Sequence, residues 1–127
     1  MISLDLETAG LNPHVSSILS IGAIDHNTGA LFELECQPFE GSLILAESLN
    51  VNGFRTEDFK KKISEKELIY QFQSWLSDRE SKVALGHNIG FDLKFIDFAT
   101  ARYGFKNLLS FRSVDIHACF VTLQLSK

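Results

Sequence analysis

Ile2-Ser3-Leu4-Asp5-Leu6-Glu7, at the head of the chain, alternates apolar and polar side chains with a period of two. In an extended backbone successive side chains point to opposite faces, so this alternation predicts a β-strand. Leu4 and Leu6 then face a packed layer, while Asp5 and Glu7 project together from the other side. Thr8-Ala9-Gly10 and Asn12-Pro13 are turn-forming and end the strand. A second apolar run, Ser17 to Asp25, follows. Asn27-Thr28-Gly29 turns it back into a third strand, Ala30 to Cys36. Three antiparallel strands are therefore expected to open the chain.

Further along, the signals change period. Residues 42–59 read as short helical pieces around Asn52-Gly53. Ser64-x-x-Glu67 is a capping box, and Leu68, Phe72, Trp75 and Leu76 recur behind it at helical spacing. Lys82 to His87 predicts a fourth strand. Asn88-Ile89-Gly90 then turns into a helix running to about Tyr103, with Phe91, Phe95, Phe98 and Ala99 on one side and Gly104 as its stop. A last strand around Ser110–Asp115 leads into a helical start. Strands first, then strand and helix in alternation, predict an α/β or α+β layered domain whose mixed sheet is flanked by helices, the order of a ribonuclease H-like architecture. No repeat or Pro/Gly/Ser-rich linker interrupts residues 1–127, which are read as one domain.

Composition narrows the function classes. A hydrophobic share of 45% and a charged share of 22% describe a soluble globular protein, and the 11 phenylalanines point first to a packed core. No run of about 18 apolar residues is present to span a membrane. ISLDLE has neither a basic start nor an apolar signal core, so a cytoplasmic location is expected. Cys36 and Cys119 match no metal or redox spacing and read as reduced, buried thiols. A net charge of −4 argues against gripping nucleic acid by bulk electrostatics, but leaves room for an enzyme that engages one strand end through bound cations. Arg55, Lys60, Lys61, Lys62 and Lys66 are interleaved with Glu57, Asp58 and Glu65. They form either a solvated mixed-charge surface or a phosphate track.

The chemistry sits in two places. Asp5 and Glu7 on one strand face repel each other, and a hard divalent cation such as Mg²⁺ or Mn²⁺ would neutralise the pair through oxygen ligands. Alternatively, one carboxylate caps the following turn and the other is solvated. The second place is Gly86-His87-Asn88-Ile89-Gly90-Phe91-Asp92, where a strand ends and a helix begins with an acid in its first turn. Asp92 there either complements the helix N-terminus, with Asn88 as cap and His87 satisfied at the strand end, or joins Asp5 in a metal site. The second option requires adjacent strands in one sheet.

Taken together, these segments carry a resemblance. Ile2 to Leu11, followed by Ile18-Leu-Ser-Ile-Gly22-Ala23, resembles the first exonuclease motif of the DEDD superfamily, which includes ribonuclease T, oligoribonuclease and bacterial proofreading subunits. Gly86-His87-Asn88-x-x-Phe91-Asp92 resembles its second motif. Ser48 to Gly53, followed by Glu57-Asp58, is similar to the segment near the bound 3′ terminus. The resemblance implies a 3′–5′ exonuclease acting on DNA or RNA by a two-metal mechanism, with two Mg²⁺ or Mn²⁺ ions held by Asp5, Glu7 and Asp92. It implies that the Thr8-Ala9-Gly10 backbone holds the terminal nucleotide and that Asn52 lies near it, with His87, Asn88 and Phe91 lining the pocket. The implied partner is a single-stranded 3′ terminus, and the resemblance admits a homodimer or a polymerase or other protein partner.

The family's third motif, a late helix with a His or Tyr and a fourth Asp, finds no match. Phe111-Arg-Ser-Val-Asp115 resembles the strand before it, and Asp115 reads as a structural or supporting residue. Twelve residues follow, in which His117 has Thr122 five positions on. The expectation is a C-terminally incomplete domain. The alternative function is a catalytically impaired relative that binds nucleic-acid ends or a partner protein.

Overall fold

The computed structural model describes residues 1–116; Cys119 and the late helical start, with His117 and Thr122, lie outside the described residues. The opening alternation forms strand β1 (Ile2–Thr8), followed by β2 (Ile18–Asp25) and β3 (Leu31–Glu35). The three pair antiparallel, Asp5 opposite Gly22 and Ala23 opposite Phe32. Two short helical pieces follow as expected, α1 (Ala46–Asn52) and a 3₁₀ turn (Thr56–Lys61), and then α2 (Glu65–Ser77). Strand β4 (Ala84–Gly86), helix α3 (Ile89–Arg102) and strand β5 (Ser113–Asp115) complete the order. The sheet runs β3-β2-β1-β4-β5, with β4 parallel to both β1 and β5. It is the mixed sheet with helices that the alternation predicts.

Helix α2 starts at the expected cap: the Glu67 N–H donates to Ser64 Oγ at 3.1 Å. The Glu67 carboxylate accepts from Gln71 Nε2, one turn on. Leu68, Phe72 and Leu76 are fully buried, Trp75 packs beside them, and Ile69 joins the stripe. These meet Ile2, Leu4, Leu6, Ile21, Ala23 and Phe32 from one sheet face and Phe95, Ile96 and Ala99 from α3. Each such large side chain contributes about 1.5–3 kcal/mol of burial, so this single layer supplies most of the cohesion. Gly104, at φ 71°, takes the left-handed position just past α3, where a side chain would be strained. Among the described phenylalanines, Phe32, Phe59, Phe72 and Phe95 are buried as expected, and Phe111 is almost wholly exposed.

Strands β4 and β5 are shorter than the expected Lys82–His87 and Ser110–Asp115. The flanking residues contribute single backbone hydrogen bonds, Ile2 N–H to the Val83 carbonyl and Ser110 N–H to the Lys82 carbonyl, each 2.8 Å. The pairing of β1 with β4 covers only Ile2 and Ser3. At the end of β4 the two backbones come unusually close, since a Cβ on Gly86 would lie 2.7 Å from the Leu4 carbonyl oxygen. Gly86→Ala is therefore expected to push β4 off β1 and cost ~1–3 kcal/mol, read as a lower urea midpoint. An unchanged midpoint would refute the close approach.

The opposite face of the sheet is uncovered by the described residues. Ser3, Asp5, Gly22, Ile24, Leu31 and Leu85 line a shallow hollow of about 360 Å³ there.

Candidate functional site

Asp5 is exposed and Glu7 half-buried, on the sheet face away from Leu4 and Leu6. Because β4 leaves β1 after Ser3, the rest of that β1 edge lacks a strand partner, and the first turn of α3 closes over it. There the Leu6 N–H donates to the Asp92 carboxyl group. The pairing of β1 with β4 thus brings Asp92 to Asp5, as the metal reading requires.

The electrostatics record that proximity. Burial raises the Asp92 carboxyl to about 7, and the charges of Asp5 and Glu7 push it the same way, against the Leu6 hydrogen bond. Glu7 is raised as well, by burial and then by Asp5. Asp92 and Glu7, each buried in part and facing a neighbouring acid, hold their protons more tightly than isolated acids do. Among the described residues, however, no group of three or more His, Cys, Asp or Glu side chains is placed to hold a metal ion. The donor set consists of hard oxygens suited to Mg²⁺ or Mn²⁺, with Asp5 open to solvent on one side.

The turn into α3 corrects one option. Asn88 occupies the N-cap position, but its side chain makes no capping hydrogen bond. It is left-handed at φ 52°, ψ 47°, a conformation that asparagine tolerates better than most residues. Its N–H donates to Asp115 Oδ1 at 3.2 Å, so β5 braces the turn through Asp115, in keeping with a supporting role. His87 and Asn88 are both exposed at this corner.

Beside the carboxylates lies a groove of about 340 Å³ lined by Glu7, Thr8, Leu11, Ser48, Asn52 and Phe91, among others. Asn52 Nδ2 donates to the Thr8 carbonyl at 3.2 Å, tying α1 to the end of β1. Thr8 Oγ1 donates to the Gly10 carbonyl at 2.8 Å and fixes the turn. Ala9 and Gly10, expected to hold the terminal nucleotide through their backbone, are both buried in the turn. Ala9 is fully buried against Leu19 and Phe59. Its N–H donates to the Ser17 carbonyl and its carbonyl accepts from the Leu45 N–H. Gly10 is buried too, and a Cβ there would lie 2.3 Å from Ser16 Oγ. Both shape the groove from beneath, and Thr8 is the member of the triplet that reaches it.

Sequence reasoning missed several groove residues. Leu11 is 73% exposed and Val51 86% exposed, and both line the groove. Leu45 and Glu47 join them. The available signal was Val51 in α1, a large apolar residue on a short helix that buries none of its residues. Of the basic stretch, Lys62 is spent on Glu35 and on the Phe54 ring, as a mixed-charge surface predicts.

Comparison with known proteins gives the family and the fold. The family described as Exonuclease, of the RNase T type, matches residues 2–127. Ribonuclease T of Vibrio campbellii is 26% identical over 123 residues, covering 84% of this chain and 58% of that protein. Ribonuclease T of Buchnera aphidicola is 30% identical over 121 residues, with 84% and 56% covered. The PolC-type DNA polymerase III of Thermotoga petrophila is 30% identical over 96 residues, 75% of this chain and 7% of that protein. The chain thus spans a little over half the length of the ribonucleases T that it matches. Among solved structures, Exonuclease I in its apo form superposes with a TM-score of 0.81 at 18% identity, over 94% of this chain and 29% of that one. E. coli Exonuclease I in complex with a 5cy-dA13 oligonucleotide gives a TM-score of 0.79 at 19% identity, with 94% and 29% covered. At such identity the likeness carries the fold, which is the exonuclease, ribonuclease H-like one. With the family match spanning nearly the whole chain, this protein belongs to the RNase T exonuclease family.

Proposed function

We propose that this chain removes nucleotides from the 3′ end of single-stranded DNA or RNA, with Asp5, Glu7 and Asp92 holding Mg²⁺ or Mn²⁺ at the scissile phosphate. The observation that carries the reading is that the buried Asp92 carboxyl group lies in the field of Asp5 and Glu7, with Glu7 lining a groove beside β1. Divalent ions held there supply Lewis-acid activation of the attacking water and of the departing 3′ oxygen. The chain's own part is positional. Leu6 N–H aims the Asp92 carboxyl group, and Asn52 holds Thr8 and α1 together across the groove. Phe91 presents a ring wall against which a terminal sugar or base packs. His87 and Asn88 sit at the adjoining corner, within the same turn.

Two measurements test this. Mn²⁺ at ten to thirty times its dissociation constant should stabilise the chain by about 1.4–2 kcal/mol, because it binds the folded state alone. Asp5→Ala should abolish the shift, and a melting temperature indifferent to saturating Mn²⁺ would count against the site. A 5′-labelled oligonucleotide ladder, in either nucleic acid, should shorten from the 3′ end only with Mn²⁺ or Mg²⁺, and not with Asp92→Ala. Shortening that persists in Asp92→Ala would remove these carboxylates from the reaction.

A further inference from the structure

We propose that Lys94 binds the backbone phosphate next to the scissile one, in a second groove that continues the first; this rests on the nuclease reading above. The second groove, of about 460 Å³, is lined by Leu11, Pro13, Asn88, Phe91, Lys94 and Phe95. Leu11 and Phe91 line both grooves, so the two are contiguous and the Phe91 ring stands at their junction. A strand whose last nucleotide fills the groove at Glu7 and Thr8 passes this ring and enters the second groove with its next nucleotide.

The walls are held from behind. Phe91 packs on Phe95 with ring centroids 4.9 Å apart. The facing loop is fixed by Arg102 Nη2 on the Pro13 carbonyl at 3.1 Å and by the His14 ring against Phe98 at 4.2 Å. The groove is therefore preformed, which lowers the ordering cost of binding.

Charge selects the occupant. The chain carries a net charge of −4, and the carboxylates of Asp5, Glu7 and Asp92 repel phosphate unless cations intervene. Lys94 is exposed on α3, two residues past Asp92. Among the described residues, the cationic side chains in ion pairs are Lys62, Arg79 and Arg102, so Lys94 has no carboxylate partner there. A lone ammonium on the wall of an aromatic-sided groove beside a phosphodiesterase-type site matches a nucleotide phosphate. A solvated surface lysine is the competing role.

The test compares wild type, Lys94→Ala and Lys94→Arg as full chains, using fluorescence anisotropy in Mn²⁺ with 5′-labelled dT8 carrying hydrolysis-resistant phosphorothioate linkages. Affinity for unlabelled dTMP, which fills only the first groove, is measured by calorimetry. Lys94→Ala is expected to weaken dT8 binding roughly five- to tenfold and to lower the slope of log K against log salt by about 0.7, one single-strand phosphate contact. Binding of dTMP should be unchanged, and Lys94→Arg should restore most of the dT8 affinity. Equal dT8 affinity and salt slope in wild type and Lys94→Ala would overturn the assignment while leaving the nuclease reading intact, as would an equal loss of dTMP binding. Wild type that binds neither dT8 nor dTMP would overturn both.

Discussion

Replacing Glu65 with alanine is expected to cost the fold ~3–5 kcal/mol, the loss typical of breaking one side of a buried ion pair. Its side chain is fully buried and accepts four hydrogen bonds. The donors are Ser17 Oγ at 2.8 Å, the Ile18 N–H at 2.7 Å, Arg102 Nη1 at 2.6 Å and Tyr103 Oη at 2.7 Å. One carboxylate thereby joins the start of α2, the start of β2 and the end of α3. Without it, the Arg102 guanidinium, which also stacks 4.1 Å from the centre of the Phe39 ring, is left without its counter-ion, and the Ile18 N–H is stranded in the core. Glu65→Gln keeps the shape and some hydrogen bonds and should lose less. Urea unfolding of both variants measures this. An alanine variant that loses under about 1 kcal/mol, the size of an ordinary surface change, would mean that water or rearrangement replaces the carboxylate easily.

The second large effect is a stability that falls as pH rises in chelator. Asp92 in the folded chain titrates at about 7, against 3.8 for a free aspartate. Between those values the native state keeps a proton that the unfolded chain has released, so ∂ΔG/∂pH is negative. The stabilisation is complete below about pH 4, declines through neutrality and is absent above about pH 8, a total of ~2–4 kcal/mol for a shift of this size. Glu7, also raised, adds a slope of the same sign. Asp92→Asn, which carries no titrating proton, should flatten most of the decline and be the more stable protein at pH 8. Chemical unfolding in EDTA at pH 5, 6.5 and 8 reads both. A wild type equally stable at pH 5 and pH 8 would show that the three carboxylates do not share one field.

The candidate site was legible in unequal parts. Asp5 and Glu7 were readable because a period of two puts side chains two apart on one face whatever the rest of the fold does. Asp92 was readable only as the first-turn acid of a helix. Its hydrogen bond from Leu6 depends on β4 parting from β1 after two paired residues, a matter of register that no local pattern states. The burial of Ala9 and Gly10 was hidden for the same kind of reason. As turn formers they belong at the end of β1, but which atoms remain free depends on Ser17, Leu45 and Ser16, brought in from other parts of the chain. The Asn88 option failed because Asn88 takes a left-handed backbone, outside the extended conformation usual at an N-cap, and its side chain makes no capping hydrogen bond.

The sequence by itself determined the elements: three antiparallel strands from alternation and a hairpin turn, α2 from Ser64 and its apolar stripe, and α3 with its Gly104 stop. These are set by interactions within a few residues, where backbone geometry makes side-chain spacing diagnostic. Only the tertiary structure decided how the carboxylates meet, where the grooves run and how Glu65 is used. In the sequence Glu65 sits in a mixed-charge stretch like any solvated acid. In the fold it is buried under Arg102 and Tyr103, 37 and 38 residues away. A charge's environment is set by what packs over it, and packing partners separated by that much chain leave no periodic trace between them.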